Sequence, residues 1–112
     1  MMWPQLSFVC VINDKVVGYC LGKIEEDDVH HGHITSLAVH PQYRRLGIAK
    51  KMITLSVMQM KNAWQTKGVY LHVRISNENA QGLYEQIGFK TEKMEKGYYQ
   101  DGEDAMSMKL IQ

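Results

Sequence analysis

Net charge, cysteine and long apolar runs are all scarce in this chain. The formal net charge is only +1 over 112 residues. That balance excludes a broad surface for nucleic acid or for an anionic membrane, so any anion must be held by a local site. The longest apolar runs fall short of the roughly 18 residues a membrane span needs, and no secretory leader is read ahead of the first strand. The two cysteines, Cys10 and Cys20, sit in apolar, strand-like runs without metal or redox spacing. They read as reduced, buried thiols, and the chain reads as cytoplasmic, with the nucleus also open to it. Repeats, linkers and low-complexity tracts are missing as well. One domain over residues 1–112, with a modest core, is what remains.

What is present alternates between two periods. Phe8 to Ile12 and Val16 to Leu21 are β-prone runs about Asn13-Asp14-Lys15, a hairpin signal without the favoured Asn-Gly pair. Glu25-Glu-Asp-Asp28 reads as a solvated acidic loop, and His33 to Val39 as a third strand ending at His40-Pro41. From Leu46 to Trp64 the period becomes helical, with Ala49, Met52, Ile53, Ser56, Met60, Ala63 and Trp64 on one face. The methionines on that face serve as core filling. Gly68 breaks the pattern, and Val69 to Ile75 reads as a strand. Ser76-Asn77 then opens a shorter helix to about Gln86, with Ser76 as its N-cap. Phe89 to Met94 and Ala105 to Leu110 are the last strands, with Asp101-Gly102 as a turn between them. The order β-β-β-α-β-α-β-β is that of an α/β fold, a mixed sheet with helices packed on it.

The junction Tyr43-Arg-Arg-Leu-Gly-Ile-Ala49 carries the first chemistry. A strand that turns directly into a helix presents unpaired backbone N–H groups at the positive end of the helix dipole, where a phosphate binds. Gly47 permits close approach of the backbone, Ala49 is small, and Arg44 and Arg45 add charge at the rim. The Lys-Ser/Thr ending of a nucleotide-hydrolysing loop is missing, so the site suits a pyrophosphate that is held rather than hydrolysed. A plain basic surface turn explains the same residues equally well on these grounds alone.

Arg44-x-x-Gly47-x-Ala49 after a strand resembles the acetyl-coenzyme A signature of the GNAT acetyltransferase superfamily. A second element, Asn77-Glu-Asn-Ala80-Gln-Gly-Leu-Tyr84 followed by Gly88-Phe89, resembles that superfamily's other cofactor-side motif. The two stand in the right order and on the expected elements. His31-Gly-His-Ile-Thr-Ser-Leu-Ala-Val39, Tyr70-Leu-His-Val-Arg74 and Tyr98-Tyr99-Gln-Asp-Gly-Glu-Asp-Ala105 narrow the likeness to N-terminal protein acetyltransferases, most similar to the catalytic subunit of the NatA complex. The likeness runs from Trp3-Pro4-Gln5-Leu6 to Lys109.

The resemblance implies a GNAT-type fold, shortened at its N-terminus by a strand and two helices, roughly 35 residues at ordinary element lengths. That expectation leaves apolar surface uncovered, which invites homo-oligomers or strand exchange. The implied reaction is direct attack, in a ternary complex, by a peptide α-amine on the thioester of acetyl-coenzyme A. Implied substrates are protein N-termini beginning with Ser, Ala or Thr, or with an acidic residue. An auxiliary helical-repeat subunit at the ribosome is the implied partner, and neither membrane nor nucleic acid is expected. Alternatives are a relative acting on Met-first N-termini or on lysine, and a non-catalytic module that binds coenzyme A or oligomerises.

Carried over residue by residue, Arg44, Arg45, Leu46, Gly47, Ile48, Ala49 and Lys50 would hold the pyrophosphate. A strand bulge at Leu37, Ala38 and Val39 would offer an N–H to the oxyanion and pair with pantetheine. His72 is the implied base, since an imidazole titrates near neutrality and can relay the proton of an α-amine through water. His33 is a second member of the relay. Tyr84 stands beside the sulfur as proton donor, Asn77 meets the cofactor, and Tyr98 and Tyr99 line the substrate N-terminus. A zinc site from His30, His31, His33 and His40 with Asp27 and Asp28 is permitted by spacing, but no cysteine pair completes it, and the chain is read as metal-free.

Overall fold

A computed structural model describes residues 5–112 of the chain, so the Trp3-Pro4 end of the family likeness lies outside the described residues. The elements are β1 (Phe8–Ile12), β2 (Lys15–Ile24), β3 (His31–Val39), a short 3₁₀ turn (Pro41–Tyr43), α1 (Ile48–Trp64), β4 (Gly68–Arg74), α2 (Glu78–Ile87), β5 (Lys90–Glu95) and β6 (Ala105–Ile111). Helices and strands follow the expected order. They form one six-stranded mixed sheet, β1-β2-β3-β4-β6-β5, in which only β3 and β4 run parallel. Asn13 and Asp14 both adopt left-handed φ values of 51° and 65°, the turn geometry that matches strand twist and usually falls to Asn-Gly.

The core lies on one face of the sheet. Cys20, Ile24, Ile34, Val69, Leu71, Val73 and Met108 point from the strands toward Met52, Ile53 and Met60 of α1 and toward Tyr84 and Phe89. α1 lies close to the sheet because Gly22 and Gly32 give it room. A Cβ at Gly32 would collide with the Met60 sulfur, and one at Gly22 would stand 2.7 Å from Ser56 Oγ. The Ser56 hydroxyl, fully buried, donates to the Leu6 carbonyl at 2.7 Å and ties the segment before β1 to the helix. Ser56→Ala orphans that buried carbonyl and should lower stability by about 1–3 kcal/mol, read as a shift of the urea midpoint at constant slope.

Two expectations are corrected here. Ala63 and Trp64, placed on the core face of α1, are exposed. Met60 already packs over Gly32 at the start of β3, so the last turn runs past the sheet. The N-cap of α2 is Asn77 and not Ser76: Asn77 Oδ1 accepts from the Ala80 amide at 3.1 Å. Ser76 instead donates its N–H to a Glu103 carboxylate oxygen at 3.0 Å.

Both cysteines are free; Cys20 is buried as expected, whereas Cys10 is only half-buried. Burial pushes the Cys20 thiol up to about 12, leaving it an inert apolar group.

Candidate functional site

β3 and β4 pair over only His31–Ile34 and Gly68–Leu71. Beyond those pairs the strands splay, and the gap becomes a cleft of about 260 Å³. Ile34 to Leu37 line one wall and Leu71 to Arg74 the other, with Asn77, Tyr84 and Tyr99 closing the sides. Residues 35–39 of β3 keep β2 as neighbour on one edge and, among the described residues, have no strand on the other. Backbone groups along that open edge are therefore available to a ligand.

The expected bulge lies earlier than Leu37, Ala38 and Val39. Leu21 pairs with Ser36 and Gly22 with Ile34, so Thr35 is the extra residue, and residues 37–39 pair regularly with β2. The Thr35 hydroxyl donates to the Leu21 carbonyl at 3.2 Å. The cause is packing: Ile34 and Leu37 both turn toward the core, and a strand of period two reaches both only by absorbing one residue between them.

At the far end of β3 the chain enters the turn that carries Arg44 and Arg45. His40 Nδ1 accepts from the Gln42 amide at 3.2 Å, and Arg44 Nε donates to the Val39 carbonyl at 3.2 Å, so the turn is tied back to the strand. Arg45 and Gly47 take left-handed φ values of 66° and 78°. Gly47 is the N-cap of α1 and has no side chain to cap it. The first intrahelical bond runs from the Lys51 amide to the Gly47 carbonyl, so the amides of Ile48, Ala49 and Lys50 have no helical partner. A Cβ built on Gly47 would meet no atom within 4 Å. Arg44, Arg45 and Leu46 are exposed around this opening.

On the opposite face of the sheet lies a second cleft, also about 260 Å³, which includes Glu25, His33, Tyr70, His72, Glu95 and Ser107. His72 lines both clefts. His72 Nδ1 lies 3.4 Å from His33 Nε2. The outer nitrogens of both rings meet carboxylates: His72 Nε2 and Glu95 at 2.7 Å, His33 Nδ1 and Glu25 at 2.9 Å. Burial holds His33 below the ordinary imidazole range against the pull of Glu25, and the neighbouring His72 adds to the depression. Tyr98 lies flat on the His72 ring, centroids 4.3 Å apart with 9° between planes.

Tyr99 turns its ring against the Arg74 guanidinium, 4.1 Å from the centroid, and faces the β3–β4 cleft. Arg74 in turn donates to Asp101 at 2.9 Å and to Glu103 at 2.8 Å. The loop between β5 and β6 is thus clamped to β4, and Tyr98 is clamped with it. The Ser76 hydrogen bond and then Arg74 pull the Glu103 carboxyl down to about 2. A depressed carboxyl contributes stability above its ordinary 4.5 and loses that contribution as pH falls toward about 2. The ring-current shifts of Tyr98 should therefore hold at neutral pH and fade below 4.5, and Glu103→Gln should bring the fading to neutral pH. NMR of the tyrosine ring protons reads both.

Tyr84 is buried beside the β3–β4 cleft, and burial pushes its phenol up to about 12, so it stays protonated and able to donate. The expected site residues fall into three groups joined by β3 and β4. His33, His72 and Tyr98 stand at the second cleft, Leu37, Asn77, Tyr84 and Tyr99 at the first, and Arg44 to Lys50 at the end of β3. The sequence reading missed Glu25, taken as solvated loop, and also Glu95, Arg74 and Glu103. Of these only Arg74 had a local signal, since period two puts it on the face of Tyr70 and His72. Among the described residues no group of three or more His, Cys, Asp and Glu side chains is arranged to hold a metal ion. His31 and His33 pair separately, with Asp28 and Glu25.

Comparison with known proteins finds relatives of this chain and fold. Residues 2–89 match the model of the acetyltransferase (GNAT) family. The chain is 48% identical over 111 residues to the N-alpha-acetyltransferase daf-31 of Caenorhabditis elegans, covering 96% of this chain and 61% of that one. It is 46% identical over 110 residues to the N-terminal acetyltransferase A complex catalytic subunit NAA10 of Arabidopsis thaliana, covering 96% and 57%. Among solved structures, the NatC complex bound to Gag peptide and CoA matches with a TM-score of 0.89 and 30% identity, over 98% of this chain and 73% of that one. The chain thus spans about six-tenths of the length of these curated relatives.

Proposed function

This chain belongs to the acetyltransferase (GNAT) family, and we propose that it is an N-alpha-acetyltransferase, moving the acetyl group of acetyl-coenzyme A to the free α-amine of a protein N-terminus. One observation carries the reading: the His72 imidazole lines the clefts on both faces of the sheet. A cofactor cleft and a peptide cleft that meet at a base are what direct transfer between two bound substrates requires.

The residues present fit the cofactor. The uncapped amides of Ile48, Ala49 and Lys50, the open space above Gly47, and the charges of Arg44 and Arg45 suit a pyrophosphate. The open edge of β3 beyond Ile34 suits the amides of pantetheine. Bound acetyl-coenzyme A supplies an acyl group activated as a thioester.

The chain's own side chains do the rest. The second cleft takes the peptide N-terminus, with Tyr98, stacked on His72, fixing its backbone; Tyr99, expected beside it, lines the first cleft instead. His72 draws the proton from the α-ammonium, whose pKa near 8 asks only a modest base. Amides along the open β3 edge, Leu37 to Val39 and those of the Thr35 bulge, offer donors to the carbonyl oxygen. The buried Tyr84 phenol offers a proton to the departing sulfur. Small first residues, Ser, Ala or Thr, are the proposed substrates, with an auxiliary subunit as partner and the cytoplasm as location. The likeness to the catalytic subunit of an N-terminal acetyltransferase complex supports the partner.

A panel of peptides read by mass spectrometry tests this. Ser-, Ala- and Thr-first peptides with free α-amines should gain one acetyl group, and the same peptides with blocked α-amines should gain none. Acetylation of blocked peptides on lysine, or of Met-first peptides alone, would replace the reading with one of its alternatives.

A further inference from the structure

Glu25, His33, His72 and Glu95 form a continuous line across the sheet, with contacts of 2.9, 3.4 and 2.7 Å. The outer contacts fix the inner chemistry. An ionised carboxylate only accepts hydrogen bonds, so the ring nitrogen facing it must carry the hydrogen. His33 is therefore protonated at Nδ1, facing Glu25, and His72 at Nε2, facing Glu95. In the neutral rings, both lone pairs are then left on the nitrogens that face each other at 3.4 Å. Two lone pairs at that distance repel, and one proton placed between them turns the repulsion into a charge-assisted N–H···N bond.

We infer that Glu25 and Glu95 are positioning residues that set His33 and His72 as a one-proton acceptor, a pair that binds a single proton as a unit. The assignment rests on the transfer reading for its substrate and not for its chemistry. In the reaction an N–H bond of the peptide ammonium breaks and its electron pair stays on the amine nitrogen. The proton forms a bond with the lone pair of His72 Nδ1, and the His33 Nε2 lone pair accepts a hydrogen bond from it. The amine becomes neutral and nucleophilic, and the pair carries the positive charge between two carboxylates.

The first proton is favoured by that geometry and by both carboxylates. The second must enter a ring partly out of water, the main cause of the depression at His33, and already beside a cation, a smaller one. Other charged groups around the pair do not reverse the order. Lys23 on β2 opposes protonation of His33, and Lys93 on β5 stands 3.6 Å from Glu95, which partly answers it. Glu92 on β5 adds a negative charge at the cleft, where Tyr70 of β4 is a further wall, and Tyr98 covers the His72 ring. Glu95 reaches His72 across β6, where only the small Ala105 and Ser107 intervene.

NMR of the full chain labelled with ¹⁵N-histidine, without any cosubstrate, tests the inference. At high pH His33 should show the Nδ1–H tautomer and His72 the Nε2–H tautomer. On acidification the two facing nitrogens should shift together in one common step, the second proton entering only at lower pH. Glu95→Gln removes a carboxylate charge that favours the first proton and no longer fixes the hydrogen on Nε2, since an amide both donates and accepts. The common midpoint should fall by at least about one unit. Glu25→Gln should do the same from the other end. Separate midpoints for the two rings, or an unmoved midpoint in both folded variants, would overturn the inference. A common midpoint in a chain that transfers no acetyl group would leave the proton pair standing and count against the transfer reading alone.

Discussion

His72→Ala lowers turnover roughly 10²- to 10⁴-fold while acetyl-coenzyme A affinity stays within a few-fold of the parent. The asymmetry follows from where the ring stands. It faces both clefts from the middle of β4, yet the expected phosphate contacts lie at the far end of β3, in the turn from Arg44 to Lys50. Removing the imidazole takes away the base and leaves the anion cradle untouched. The fold should survive, because the ring sits on the face of the sheet away from the core and the core cluster does not include it. Glu95, about one-third exposed, can turn to water once its partner is lost. Steady-state kinetics with a Ser-first peptide reads the kcat change, and calorimetry reads the affinity. Unchanged turnover would remove His72 from the mechanism.

Gly47→Val is expected to abolish measurable tight binding of acetyl-coenzyme A, by a factor of ten or more, in a chain that still folds. The left-handed φ of 78° costs a branched residue about 1–2 kcal/mol, which an ordinary domain tolerates. Beyond its chain neighbours, no atom of the described residues lies within 4 Å of the added Cβ, so nothing packed around the turn clashes with it. The new side chain instead projects over the uncapped amides of α1, where the pyrophosphate must approach. Losing one or two charge-assisted hydrogen bonds of about 1.5–3 kcal/mol each accounts for the expected loss. Retained tight binding would discredit the cradle, whatever became of turnover.

Much of this arrangement was legible in the sequence, and the parts that were not have physical reasons. β1 was legible to the residue because alternation needs no tertiary knowledge. His72 was placed mid-strand by the same period. The bulge, placed at Leu37 to Val39 by the resemblance, stands at Thr35. Gly32 and Ile34 face inward at even positions and Leu37 and Val39 at odd ones, so the inward-facing apolar residues themselves require an extra residue between 34 and 37. Glu25 and Glu95 were hidden for a different reason. The first reaches His33 through the register of the β2–β3 hairpin, and the second reaches His72 only because β6 lies between β4 and β5. Neither strand order nor register is written in any local stretch. Ala63 and Trp64 misled for the converse reason: helical period continues past the point where the strand beneath it stops.

The measurement that bears most directly on the central claim is a calorimetric titration of the chain with acetyl-coenzyme A. The account predicts saturable one-to-one binding that Gly47→Val removes and His72→Ala leaves in place. A folded chain that gives no heat of binding, or whose binding ignores Gly47→Val, would contradict the claim that the splayed β3–β4 cleft and the turn into α1 form a coenzyme A site.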